Sequence, residues 1–263
     1  MQEAEDFRQE SRALYALLKP VDNSRFAEKT QFNNWAINDV LQHLHFWNDM
    51  ARFQIEDEAL LQTRLKELME SGSKLRQFES ATLGDLGGNA LLDAWEVGFE
   101  RMADLFAQAD PKRRLIWAGP SMSARSSVTA RLMETWAHGQ EIYDHLGVER
   151  ENTDRIRGIV VLGVNTFGWI YKARKEEPPE KMPKLELTAP SGEVWRFGED
   201  YAGGLIVGSA AEFCQVVTQT RNIADTRLMV RGDIAKDWMS KAQCFAGPPI
   251  TPPKPGARFR QTA

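Results

Sequence analysis

Glu134, His138, Glu141 and His145 follow one another at steps of four, three and four. The stretch that carries them begins Arg131-Leu132-Met133-Glu134-Thr135-Trp136-Ala137-His138 and reads as helix, because Leu132, Trp136, Tyr143 and Leu146 recur at helical spacing. Steps of three and four keep residues on one side of a helix, so the four polar groups form a single stripe. A carboxylate and an imidazole four residues apart can close on one metal ion, and imidazole suits zinc, nickel, copper or ferrous iron. A bound divalent ion needs at least a third protein ligand. The chain holds four histidines, His43, His45, His138 and His145, so the search for it is short. His43 lies in a second helical stretch, on an apolar line with Val40, Trp47 and Met50. A histidine in such a line needs a partner; a core hydrogen bond is the ordinary solution and a metal ion the rarer one. On pattern alone the later stripe also reads as a solvated charged face, since it lies nearly opposite Leu132 and Trp136.

Two patterns sharpen the choice. Trp35, Asp39, His43 and Leu44 spell W-x-x-x-D-x-x-x-H-L, and Arg131, Glu134 and His138 spell R-x-x-E-x-x-x-H. Together they resemble the mycothiol-dependent maleylpyruvate isomerase family, within the DinB-like metal-binding superfamily. The resemblance covers the region up to about residue 150 and extends more weakly to a sterol-carrier-like C-terminal part. It implies a four-helix bundle in which a histidine of the second helix and a glutamate and histidine of the fourth hold a metal ion. Those positions fall on His43, Glu134 and His138. It also implies a reaction: a low-molecular-weight thiolate adds to a cis double bond, the resulting single bond rotates, and the thiol leaves. Two positions depart from the family pattern. Ala36 stands where Ser or Thr often caps the helix, and Glu141 stands where Asp is frequent. Neither removes a ligand; both mark a divergent branch whose substrate need not be the namesake's.

The neighbours of these ligands have their own readings. Asp39, one turn before His43, is first of all a helix cap, then a partner for the second imidazole N–H, then a ligand. Glu141, one turn after His138, is a general-base or ligand-supporting candidate set against plain solvation. Arg131 could hold a substrate carboxylate, although most helical arginines sit on surfaces. His45 should face away from His43 toward solvent, and His145 should sit near a helix end. The expected cofactor is a divalent ion, zinc before nickel, cobalt or iron, with a low-molecular-weight thiol as cosubstrate. With three protein ligands the ion keeps an open position, as catalytic sites do. Thiol-dependent isomerisation or transfer to a small anionic substrate competes with hydrolysis or hydration by metal-bound water, and with a non-catalytic metal- or lipid-binding module.

Bulk properties narrow the field. A chain of 263 residues with 42% hydrophobic residues and eight tryptophans can bury a full core in one or two domains. A net charge of −4 without a long basic run gives no footprint for nucleic acid. No window has the length of a membrane span, and the charged N-terminal residues do not form a signal peptide. Cys214 and Cys244 lie in helix-like segments and should be buried and reduced. A cytoplasmic protein acting on a small molecule is expected, with no nucleic acid or membrane partner and with a homodimer allowed.

In chain order, residues 3–18 read as a first helix stopped by Pro20, and a second helix begins near Ile37 and continues or restarts through Gln54–Met69. Residues 72–88, with Gly72, Gly84, Gly87 and Gly88, read as loop. Asn89 is the expected cap of a third helix with Leu92, Trp95, Phe99, Met102 and Phe106 inward, and Ser123 or Ser126 starts the fourth. The polar run Gly147–Asn152 separates a DinB-like bundle over 1–150 from a small α+β domain over 151–263. That second part begins with one apolar helix capped by Thr153. It continues with a hairpin around Pro190-Ser191-Gly192 and follows the order αβββαβα. A Pro-rich tail from Gly247 closes it without regular structure.

Overall fold

The computed structural model describes residues 1–262. The chain divides into two compact units, Met1–Ile142 and Tyr143–Ala263. In order, the first unit holds α1 (Gln2–Leu18), α2 (Ile37–Glu56), α3 (Glu58–Glu70), α4 (Leu75–Leu83), α5 (Gly88–Gln108) and all but the last turn of α6 (Ala124–His145). Two two-residue strands, β1 (Arg114–Leu115) and β2 (Met122–Ser123), pair antiparallel just before α6.

The four long helices α1, α2, α5 and α6 form the bundle. Phe7 and Leu14 of α1, Leu41 and Leu44 of α2, Trp95, Phe99 and Phe106 of α5, and Leu132 and Trp136 of α6 are all fully buried. Each recurs at three- and four-residue steps, so burying one stripe per helix builds a single core. Arg8 and Arg12 of α1 grip Glu100 of α5 at the rim.

Two elements differ from the sequence reading. Residues 75–83, expected as loop, form the helix α4. Its apolar Phe78 and Leu83 rest on Phe46, Met50, Leu61 and Leu65, but the buried residue of the helix is Glu79. The start of α5 is also set differently, because Asn89 is not its cap. Gly88 enters with φ 57°, and a Cβ there would stand 2.1 Å from Asn23 Oδ1. The free N–H groups of Gly88 and Asn89 donate to Asn38 and Asn23, at 2.8 and 2.9 Å. Capping from distant side chains leaves no mark in the local sequence.

The second unit places a four-stranded mixed sheet beside short helices. The expected first helix is split at Thr166 into α7 (Arg157–Asn165) and α8 (Phe167–Ala173). There the Thr166 hydroxyl donates to the Leu162 and Gly163 carbonyls. Thr153 precedes a short 3-10 turn and makes no side-chain cap bond. The sheet runs β4 (Val194–Phe197), β3 (Lys184–Thr188), β5 (Leu205–Ser209), β6 (Met229–Arg231), with β3 and β5 parallel and the other pairs antiparallel. α9 (Ala210–Val217) approaches α7 so closely that a Cβ on Gly163 would stand 2.9 Å from the Phe213 ring. With α10 (Asp233–Lys241) the order is αβββαβα, the first helix being divided. Cys214 and Cys244 are buried and not joined in a disulfide.

The tail from residue 247 has no regular structure but is tied down along its length. Asn222 donates to the Pro253 carbonyl, Asp225 accepts from the Gly256 N–H, and Arg258 donates to the Gln219 carbonyl. Arg260 pairs with Glu149, and the Gln261 N–H donates to the Asp144 carbonyl at 2.8 Å. Among the described residues no helix is long and apolar enough to cross a membrane.

Trp95 is fully buried, yet its indole N–H has no partner. Trp95→Phe should therefore cost less than about 1.5 kcal/mol in chemical denaturation, whereas Trp95→Ala should cost about 3–5 kcal/mol. We further expect a fragment ending at residue 150 to remain helical by circular dichroism, since the bundle's apolar stripes close on one another; an unfolded fragment would show that the rest of the chain is needed.

Candidate metal centre

α2 and α6 lie side by side and bring the predicted ligands together. α2 starts at Ile37 because Asp39 Oδ2 accepts the Ala36 N–H at 2.7 Å. Asp39 thereby ties off the backbone at a helix start whose own cap position carries no side-chain acceptor. One turn on from Asp39 comes His43. α6 is anchored at its start by Ser123 Oγ, which accepts the Ser126 N–H at 3.1 Å. It is then joined to α2 by two polar links: Ser127 donates to Gln54 at 2.5 Å, and Arg131 Nε donates to Asn48 Oδ1 at 3.0 Å. These links place Glu134 and His138 opposite His43.

The three side chains offer donor atoms that all lie within 4.8 Å of one another. Both imidazoles turn Nε2 toward the same oxygen, Glu134 Oε2, from 3.6 Å for His43 and 3.3 Å for His138. Donors about 2.0–2.1 Å from a tetrahedral ion stand about 3.3–3.5 Å apart, so these two edges are close to those of a zinc-sized shell, within a trio that spans up to 4.8 Å. Behind His43, Nδ1 donates to Glu79 Oε1 at 2.7 Å, so Nε2, which faces Glu134, is the nitrogen left to give up its proton and ligate an ion. An oriented imidazole, a second imidazole and an anionic oxygen are a donor set that fits a divalent ion.

Electrostatics follow from burial. Burial alone would raise Glu134, but hydrogen bonds from His138 and His43 hold its carboxyl well below the usual range. Burial pushes His138 below its ordinary value. For His43 burial also pulls downward, yet hydrogen bonds to Glu134 and Glu79 outweigh it and raise the imidazole. Burial takes Arg131 down to about 10, against the pull of the Glu134 and Glu79 charges. Its Nη2 is buried with no hydrogen-bond partner.

Aromatic rings wall the site. Trp35 stacks on His138 with centroids 5.7 Å apart and planes 7° apart, and Phe32 meets the same imidazole edge-on at 5.1 Å. Trp35 also carries the Arg76 guanidinium 4.8 Å from its ring centre. Trp35 and Arg76, together with Asp39 and Asp85, line a neighbouring cleft of about 620 Å³.

Several polar groups sit elsewhere than the spacing suggests. The stripe on α6 is not a solvated face: Glu141 is 2% exposed, and Glu134, His138 and His145 are half-buried. Glu141 is nevertheless outside the converging trio, which takes Glu134. Asp39 binds Ala36, Arg76 and Lys29, while the second nitrogen of His43 goes to Glu79. His45, expected at the surface, is buried against Gly98 of α5 with Nδ1 unpartnered, because α2 is covered on several sides. Glu79 was missed altogether. The one available signal was the helical step from Leu75 to Phe78 to Thr82 amid the glycines.

The model of the mycothiol maleylpyruvate isomerase N-terminal domain matches residues 7–143. The chain belongs to that family. An uncharacterised protein of Mycobacterium tuberculosis, present in two strains, is 35% identical over 244 residues, which is 93% of this chain and 95% of its own length. The crystal structure of a mycothiol-dependent maleylpyruvate isomerase aligns with a TM-score of 0.54 at 17% identity, covering 82% of this chain and 87% of that one. A histidine mutant of such an isomerase aligns with a TM-score of 0.52 at 18% identity over the same shares. At these identities the solved structures speak for the fold.

The arrangement makes Glu134 and Glu141 separable. Glu134→Gln should abolish most divalent-ion binding measured by elemental analysis, because a neutral amide replaces the anionic oxygen that both imidazoles face. Glu141→Gln should retain the ion, with any loss of turnover within about 10–100-fold. The reverse outcome would move the ligand role to Glu141. In the parent, about one ion per chain is expected from one three-donor site, and His138→Ala should remove it.

Proposed function

We propose that the protein is a metal-dependent enzyme of thiol chemistry, isomerising a small anionic substrate or transferring a thiol to it. The observation that carries this reading is the convergence of His43, Glu134 and His138 within 4.8 Å, walled by aromatic rings. These residues would hold the ion, with zinc the first candidate from the donor set. When bound, such an ion supplies Lewis acidity and lowers the pKa of a thiol or water by several units.

The chain's own residues do the rest. Glu134 provides the negative charge in the ligand set, and His43 is held in one tautomer by Glu79. Phe32 and Trp35 screen His138 from water, which strengthens electrostatic interactions at the site. Arg131 places an unused, buried guanidinium N–H one turn from Glu134, where a substrate carboxylate would satisfy it. Glu141, buried one turn beyond His138, is assigned to proton transfer. In the isomerisation a thiolate adds to a cis double bond, the new single bond rotates, and the thiolate departs to leave the trans isomer. The αβββαβα order of the second unit supports a sterol-carrier-like assignment for it. A reduced thiol and two buried cysteines outside any disulfide suit the cytoplasm.

Turnover of cis-diacid, ester and amide substrates should be measured with mycothiol, with glutathione, and without thiol. Thiol-dependent cis–trans conversion of a diacid is expected; equal rates without thiol, with hydrolysed product, would replace this reading by a hydrolase. In the active assay Arg131→Gln should lower kcat/KM by about tenfold or more, the worth of one charge-assisted hydrogen bond.

A further inference from the structure

α4 is docked through a carboxylate. Of its nine residues, Glu79 is the one that is buried, with no exposed surface, while most of the helix faces solvent. An ionised carboxylate leaves water only where its oxygens are occupied, and here both are. Oε1 accepts from His43 Nδ1 at 2.7 Å and from Trp47 Nε1 at 2.8 Å. Oε2 accepts from Arg76 of the same helix. Arg76 then reaches Asp39 Oδ1 at 3.0 Å and Gln42 Oε1 at 3.1 Å, both on α2. Every link in this chain ends on the α2 segment that presents His43.

We propose that Glu79 is the positioning residue of the metal centre: it fixes the tautomer and ring orientation of His43 so that Nε2 points at Glu134, and α4 exists to deliver it. The inference rests on the metal reading above. Its physical content is specific. Imidazole has two nitrogens, and a carboxylate accepting from Nδ1 leaves the lone pair on Nε2 and raises its basicity as a donor. Trp47, donating to the same oxygen, prevents Glu79 from following the ring if it rotates. Arg76 pairs with the other oxygen of the same carboxylate, so both oxygens of Glu79 are held in place. The same guanidinium lies over Trp35, which itself stacks on His138. Arg76 therefore touches the support of one imidazole and the wall of the other.

The test is zinc affinity, measured in the full-length protein by competition with a chromophoric chelator, together with nitrogen-15 shifts of the His43 ring. Glu79→Gln should weaken zinc binding about 10–100-fold and produce a mixture of His43 tautomers in the metal-free protein. Glu79→Asp, which retains the charge on a shorter arm, should recover part of the affinity. Phe78→Ala loosens the docking of α4 but leaves the carboxylate, and should change affinity less than about threefold when the protein is folded. A Glu79→Gln protein that binds zinc within twofold of the parent overturns the inference, as does an equal loss in Phe78→Ala. If Glu79→Gln does not fold, the zinc-loaded parent decides: a metal on Nε2 with a protonated Nδ1 supports the proposal, and a metal on Nδ1 overturns it. A parent that binds no zinc at all fails at the earlier step and removes the metal reading itself, which the parent titration reports separately from the variants.

Discussion

The first unit depends on the burial of charge between two helices. Glu134, Arg131 and Glu79 are ionised groups taken largely out of water, which is costly unless each finds opposite charge or hydrogen bonds. The costs are met locally: Glu134 faces two imidazoles, Glu79 three donors, and Arg131 the amide of Asn48 and the field of both carboxylates. The bundle is accordingly asymmetric. α1 and α5 contribute mainly apolar packing around Trp95, Phe99 and Phe7, whereas α2 and α6 meet across polar groups. A packed apolar half supplies the stability that a polar half can then spend.

Much of this was legible because helical periodicity and ligand spacing act over short distances. The three- and four-residue steps in α1, α2 and α5 mark apolar stripes, and the four-residue step from Glu134 to His138 marks a shared side. What the pattern cannot carry is which side faces inward. α6 buries residues nearly all round, so the polar stripe that looked solvated is buried or half-buried. His45 was misread for the same reason, since α2 has neighbours on more than one face. Glu79 was illegible in a stronger sense. A helix recognised by its apolar face will be overlooked when its deepest residue is a glutamate and glycines flank it.

The departure at Ala36 leaves one half of a capping box in place. Ala36 has no hydroxyl to accept from the first turn, but its own N–H is satisfied by Asp39, three residues on. Asp39 can serve because it also accepts from Arg76, so one carboxylate closes the helix start and anchors α4. At 17% identity the solved isomerase keeps the fold with most of its side chains replaced. Such tolerance is expected where cores need volume and pattern more than particular residues.

The tied-down tail has a consequence for the second unit as a module. Residue 261 is hydrogen bonded to residue 144, and residue 260 is paired with residue 149, so the chain leaves this unit where it entered. A domain whose two ends meet can be spliced into a surface loop of another protein, or reopened elsewhere and its old ends joined, with little distortion of its interior. Closing so long a loop adds only slowly to the entropic cost, because that cost grows with the logarithm of loop length. The Pro-rich segment thus acts as a seam that holds residues 260 and 261 beside residues 144 and 149.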